Sequence, residues 1–328
     1  MRYEGPRISA DRYHATHIAA SPPTLSDLPA ALADRQNGDG GWGSRQGAAS
    51  NAECTALTCL ALETGARTVA PLSRSWRAGT AWLRARQQRG GAWHYDESGA
   101  AAPWPTPLAL LALLREPESR AAVGRGYRWL IATRGAGLGW RLRLRQFLSR
   151  RQDVELDATL DGWPWVPGTF PWVEPTAWAM VALKARWPER PPRSVRARLA
   201  DGKQLLADRA CRGGGWNYGN TRVLDSHLAP FPDTTAIALL ALRGRRDGVV
   251  DDGFRALDGL LDDNASMLSL ALALLSARAW RRNADTLRAR LVGRLEGEGP
   301  PADQRSSALA TLALNAGTLP WLGEGADG

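Results

Sequence analysis

An all-α (α/α)6 toroid, with six inner helices in a closed ring and six outer helices sheathing it, is predicted by two features of this 328-residue chain. An Ala- and Leu-rich phrase opening on Thr or Ser recurs six times, and Arg-rich amphipathic segments alternate with it. A phrase apolar on every side reads as a buried helix, and an amphipathic one as its solvent-facing neighbour. Repeating that pair buries one continuous core, so a single ring spans most of the chain.

The pattern begins with an outer segment at 25–36 and the inner phrase TALTCLAL at 55–62. Outer 75–88 precedes TPLALLAL at 106–113, outer 120–133 precedes TAWAMVAL at 176–183, and outer 193–209 precedes TAIALLAL at 235–242. Two looser copies follow: outer 251–261 with SMLSLALAL at 266–274, and outer 283–295 with SALATLAL at 307–314. A hydroxyl opening each phrase suits a helix N-cap, where its oxygen accepts a free backbone N–H. The toroid is thus expected over 25–320 with an insertion at about 135–171, an N-terminal extension at 1–24 and a tail at 321–328.

With hydrophobic residues at 44% and charged ones at 23%, the composition excludes a disordered chain. No uncharged apolar run is long enough to span a bilayer and the start has no signal-peptide core, so a cytoplasmic protein is expected. The net charge of +9 is carried almost wholly by Arg, with Lys only at 184 and 203, and does not identify a nucleic-acid partner. Cys54, Cys59 and Cys211 are an odd set without metal-ligand spacing and exclude a disulfide framework. Tryptophan is the outlier, with 15 residues against 9 Phe and Tyr together. Nothing in the sequence specifies an oligomeric state.

Several of these indoles close the turns from outer to inner segments. Arg77-Ala78-x3-Trp82-Leu83-x3-Gln87-x3-Gly91-x-Trp93 ends the second outer segment, and Gln36-x3-Gly40-x-Trp42 ends the first. The fourth keeps Leu205-Leu206 and Gly214-x-Trp216, and the third keeps Gly126-x2-Trp129-Leu130. Glycine lets the chain leave the helix through a positive-φ turn, Gln ties loose backbone groups, and the indole packs over the turn. Turn packing is therefore the expected role of Trp42, Trp93 and Trp216.

This arrangement resembles the QW repeat of the squalene–hopene cyclase and prenyltransferase superfamily, the prenyltransferase and squalene oxidase repeat proteins. The resemblance decays after about residue 245. It implies a helical toroid with a deep apolar central cavity that handles isoprenoids. Full-length triterpene cyclases carry two barrels, whereas this chain has room for one. Their DxDDTA proton-donor motif has a counterpart in FPDTTA at 231–236, where Asp233 falls on the donating Asp while Phe231 and Thr234 replace its acidic neighbours. The resemblance thus implies Asp233 as the leading acid; Glu174, in the same register before its phrase, and His227, six residues earlier, are expected to tune or relay the proton. A bare helix cap is the competing reading of Asp233, since a carboxyl at a helix N-terminus is stabilised as its anion. In the zinc-binding prenyltransferases the metal is held by Asp, Cys and a distant His. Asp225-x-His227 has the wrong second ligand and no later His, so neither a metal nor a cofactor is expected.

The stretch from 154 to 177 is too rich in Pro and Gly to be helical before Pro175. With Trp163, Trp165, Phe170, Trp172, Asp161 and Glu174 it reads as a preorganised wall at one mouth of the ring. Glu53, Glu174 and Asp233 all stand two residues before the repeated phrase and should point to that mouth. Gly213 to Asn220 forms the opposing lip, so Tyr218, Asp225, Glu53 and Trp178 complete the expected substrate contacts. Residues 139–151 alternate Arg with Leu and Phe, a form that permits peripheral contact with an anionic membrane.

These residues point to a terpene-cyclase-like enzyme acting on an isoprenoid or similar apolar substrate by acid-assisted cyclisation or isomerisation. Indole faces would steady a carbocation while a carboxyl moves the proton. Two alternatives stay open. One is a non-catalytic toroid that binds a lipid or a protein partner. The other is a carbohydrate-active toroid, with paired acids across a sugar and indoles stacked on it.

Overall fold

The computed structural model describes residues 25–96, 102–136, 157, 159–223 and 226–315. The extension at 1–24, the segment 139–151, Asp225 and the tail at 321–328 lie outside the described residues. In chain order the helices are α1 Leu28–Ala33, α2 Ala52–Leu62, α3 Ala70–Ala85, α4 Thr106–Leu113, α5 Arg120–Ala132 and α6 Val173–Arg186. They continue as α7 Arg193–Asp208, α8 Pro232–Ala241, α9 Gly248–Leu260, α10 Met267–Ala279, α11 Asp285–Glu298 and α12 Gln304–Asn315. The described strands are a two-residue antiparallel ribbon, β1 Arg222–Val223 with β2 Ser226–His227.

The even-numbered helices touch in the order α2, α4, α6, α8, α10, α12 and back to α2, which closes the ring. The odd-numbered helices pack outside it, α3 on α2, α5 on α4, α7 on α6, α9 on α8 and α11 on α10. The predicted all-α toroid is therefore the fold. Inner helices form because Ala and Leu have high helix propensity and no face needs water. Every residue of α2 and α4 is buried, and Glu53, at 6% exposure, is the least buried on α2. The deep cavity implied by the family resemblance therefore has no open wall along these two helices. Of the expected boundaries, the second outer helix differs most, running Ala70–Ala85 instead of 75–88, while the third inner helix starts at Val173 and takes in Pro175 in its first turn.

Four turns share one set of hydrogen bonds. The backbone N–H groups of Trp42, Trp93, Trp163 and Trp216 donate to the hydroxyls of Thr55, Thr106, Thr176 and Thr235 at 2.9–3.0 Å. Their indole N–H groups donate to the carbonyls of Leu32, Leu83, Leu130 and Leu206 on the preceding outer helix, at 2.6–2.9 Å. Each indole thus fastens an outer helix to the next inner one. The Gln87 amide donates both to Gly91 O at 2.9 Å and to Ala122 O at 2.8 Å, tying the turn to the following outer helix. Gly91 has φ of 102°, and a Cβ there would lie 2.6 Å from Arg125 O, so both backbone and space demand glycine.

Gly79, Gly126 and Gly253 sit inside outer helices, where glycine costs about 1 kcal/mol relative to Ala. A Cβ at these three positions would stand 2.6–2.8 Å from the rings of Trp42, Trp93 and Trp216 respectively, so the missing side chain makes room for the indole. In the third turn, where 33 positions separate Leu130 from Trp163, the same bond still forms. There Arg198, 0% exposed, replaces Gln: it reaches Thr133 O at 2.9 Å and Asp161 Oδ2 at 2.9 Å, with its guanidinium 3.9 Å from the Trp163 ring centre. Among the described residues, no helix is long and apolar enough to cross a membrane.

Candidate functional site

Parallel inner helices bring their N-termini to one end of the ring, and the second residue of four of them is charged: Glu53 in α2, Glu174 in α6, Asp233 in α8 and Arg305 in α12. In the ring order α12 stands opposite α6. The Arg305 side chain crosses that gap, placing Nη2 2.5 Å from Glu174 Oε1 and Nε 3.3 Å from Glu53 Oε1. One guanidinium therefore bolts opposite walls of the mouth together.

The electrostatics follow from that crossing. Glu53 is buried, and Oε1 has the ion pair with Arg305 but no hydrogen-bond partner. Burial pushes its carboxyl up to about 7 against the pull of Arg305, with Glu174 and Asp303 pushing the same way. Burial disfavours the Arg305 charge, yet Glu174 and Glu53 outweigh it and hold the guanidinium well above its ordinary value. Asp233, half-buried, adds to the same stabilisation. Glu174 is committed to Arg305 and has the geometry of a counter-ion rather than of a relay.

Aromatic groups follow the rim. Tyr95, whose carbonyl accepts the N–H of Ala52 at 3.0 Å, stacks on Trp104 at 5.8 Å, and Trp104 meets the edge of Trp165 at 4.9 Å. This belt runs past the starts of α2, α4 and α6. Beyond it Tyr218 lies 5.3 Å from Phe231, ahead of α8. The Tyr218 phenol is raised by burial and by the Asp233 and Glu174 carboxylates, which places it by the charged cluster.

The expected site residues divide accordingly. Glu53, Glu174, Asp233 and Tyr218 share the mouth, Trp165 lies on its rim, and Phe170 is exposed nearby on the loop that leads into α6. Trp172 is half-buried at the start of α6, against Gly219. Trp163 is not part of a mouth wall, because it is 2% exposed and occupied in fastening α5 to α6. Asp161 likewise anchors backbone, accepting from Gly162 N at 2.8 Å and from Arg198. Trp178 is 2% exposed within the α6 core. His227 is exposed on β2, and among the described residues no hydrogen bond or ion pair joins it to the mouth; Arg305 is the partner within reach of Asp233.

Sequence reasoning missed Arg305, Trp104, Tyr95 and Phe231. Two were findable: Arg305 stands two residues before Ser307, and Trp104 two before Thr106, in the same register as the three acids.

No protein-family model and no curated protein sequence matches this chain. Solved structures do resemble it in fold. A variant of the type II terpene cyclase MstE from Scytonema, in complex with its product merosterolic acid A, aligns with a TM-score of 0.57 at 15% identity, over 88% of this chain and 94% of that one. Another MstE variant, in complex with its substrate geranylgeranyl dihydroxybenzoate, aligns with a TM-score of 0.54 at 15% identity, over 91% and 95%. A crystal structure of a protein from Actinoplanes aligns with a TM-score of 0.55 at 16% identity, over 91% and 97%.

Proposed function

We propose that this protein is a terpene-cyclase-like enzyme that takes an isoprenoid or comparable apolar chain at the N-terminal mouth of its inner helices. The reaction is acid-assisted isomerisation or cyclisation, and its product has the mass of its substrate. The observation that carries this reading is the buried Glu53 carboxyl, pushed up to about 7 beside Arg305, which Asp233 also stabilises, at an aromatic rim. A carboxyl near 7 is protonated enough to give a proton and ionised enough to take one back. The fold shared with a cyclase solved with a geranylgeranyl substrate supports the substrate class. In this reading Glu53 and Asp233 exchange the proton with the chain, Arg305 holds the charge balance, and Trp165, Trp104 and Tyr218 offer π faces to a cation.

Purified protein incubated with geranylgeranyl-headed aromatic substrates should yield an isomer of equal mass and altered retention in mass-detected chromatography. Glu53→Gln and Asp233→Asn, folded normally, should each lower that yield at least a hundredfold. Full yield from both variants removes the assignment.

A second reading, a non-catalytic toroid, is favoured by the Arg305 bridge across the mouth and by the closed faces of α2 and α4. It predicts isoprenoid binding without turnover. The carbohydrate reading fits less well, since one guanidinium joins the two acids that would have to stand apart across a sugar.

A further inference from the structure

At the opposite end of the ring, roughly 18 Å along α6 from Glu174 at 1.5 Å per residue, a half-open groove of about 650 Å³ lies between α5 and the C-terminal ends of α4 and α6. We infer that this groove is a second binding site, for an anionic amphiphile carrying a phosphate head on an apolar chain.

Its volume falls within the range of small-molecule sites. The apolar part is a wall of Val123, Ile131, Tyr127 and Trp187. Tyr127 donates its hydroxyl to Ala182 O at 2.9 Å and meets the Trp187 ring edge-on at 5.1 Å, so the aromatic floor is held rigid. The head group would meet Arg115, Arg120, Arg128 and Arg186, which line the same groove and are exposed. The one carboxylate there, Glu116, is already held by Arg84, by the Thr80 hydroxyl at 2.8 Å and by Ser119. Arg115 is paired with Glu63 at 3.5 Å, whereas among the described residues no carboxylate pairs with Arg120 or Arg128. Arg120 and Arg128 therefore bring uncompensated positive charge beside an apolar wall.

Two choices in α5 go against local helix rules, and both face this groove. Arg120 is the first residue of the helix, where the dipole disfavours a cation by roughly 0.3–1 kcal/mol. Gly124 is mid-helix, yet a Cβ there would come no nearer than 3.8 Å to any atom, the closest being Arg128 Nη1. Unlike Gly79, Gly126 and Gly253, it makes way for no indole and leaves only open groove. Gly259 and Gly293 are likewise helix-interior glycines with nothing within 4 Å, so it is the groove rather than the glycine that marks the site: a phosphate would pair with Arg120 at the α5 N-terminus, and its chain would occupy the space above Gly124.

Calorimetric titration of the full chain with octyl phosphate, octanol and inorganic phosphate tests this. Octyl phosphate should bind at least tenfold more tightly than either of the others. Gly124→Leu fills the groove and favours the helix, so it should weaken octyl phosphate at least tenfold while holding or raising the melting temperature. The pair Arg120→Glu with Arg128→Glu should do the same to affinity. Glu53→Gln should leave this binding unchanged, which separates the groove from the mouth. Octanol or inorganic phosphate binding as well as octyl phosphate, no binding at all, or a Gly124→Leu chain that binds like the parent would each overturn the inference.

Discussion

The first four helix pairs and the last two close the same ring by different means. In the first four, a buried indole hydrogen-bonds an outer helix to the next inner one through a Thr hydroxyl. The α9–α12 region has no such latch: α10 is capped by Ser266, whose hydroxyl accepts from Ser269 N at 3.1 Å, and half-buried Trp280 reaches sideways to Leu239 O at 2.8 Å. Inner-helix packing carries the ring through these units together with side-chain bonds between inner helices, Arg278 to Ala313 O at 2.5 Å and Gln304 Nε2 to Thr58 Oγ1 at 3.0 Å. The latched pairs supply the acids Glu53, Glu174 and Asp233, while an unlatched one supplies the cation Arg305 that joins them. Ring closure thus does not depend on the Trp latch, which occurs in the pairs that supply the carboxylates.

Removing an indole from each region tests that contrast most strongly. Trp93→Ala should cost about 3–5 kcal/mol, as a fully buried indole leaves a cavity and the Leu83 carbonyl loses its indole donor; Trp280→Ala should cost clearly less, both read from urea midpoints. Equal losses would break the distinction.

Arg305→Met should cost a similar ~3–5 kcal/mol at pH 8, because two buried carboxylates lose their counter-ion. The loss should shrink at pH 5, where Glu53 is protonated.

Glu53 itself gives a signed pH dependence. Its folded value of about 7 lies above the ordinary 4.5, so the folded chain binds the extra proton. Stability should be fullest below 4.5 and fall by roughly 3 kcal/mol as pH rises through 7. In Glu53→Gln that slope should vanish, leaving the variant more stable than the parent at pH 8; a melting-temperature series from pH 4.5 to 8 reads both.

Thr106→Val leaves the Trp93 N–H unpaired in the core and should cost about 1–3 kcal/mol. Smallest of these, Gln87→Ala removes two bonds to backbone carbonyls for about 1 kcal/mol. Hydrogen exchange should show its effect localised to the α3–α5 edge.

The helices were legible because each carries its own periodicity. The Trp turns were legible because Gln, Gly and Trp act within a few residues of one another. The same nearness misled at Trp163 and Asp161: their Pro- and Gly-rich neighbourhood suggested a binding wall, while their partners Leu130 and Arg198 lie far off in sequence. His227 and Asp233 are six positions apart, yet the group that meets Asp233 electrostatically comes from α12.

By itself, then, the sequence determined a closed ring of inner and outer helices and the end of that ring at which its acids gather, because propensity, amphipathic period and repeat register are local quantities. Tertiary structure alone decided that Arg305 crosses the mouth, that burial pushes the Glu53 carboxyl up to about 7, and that an arginine-lined groove opens at the far end. Those outcomes depend on Coulomb interaction and desolvation between helices opposite or adjacent in space, which distance along the chain does not encode.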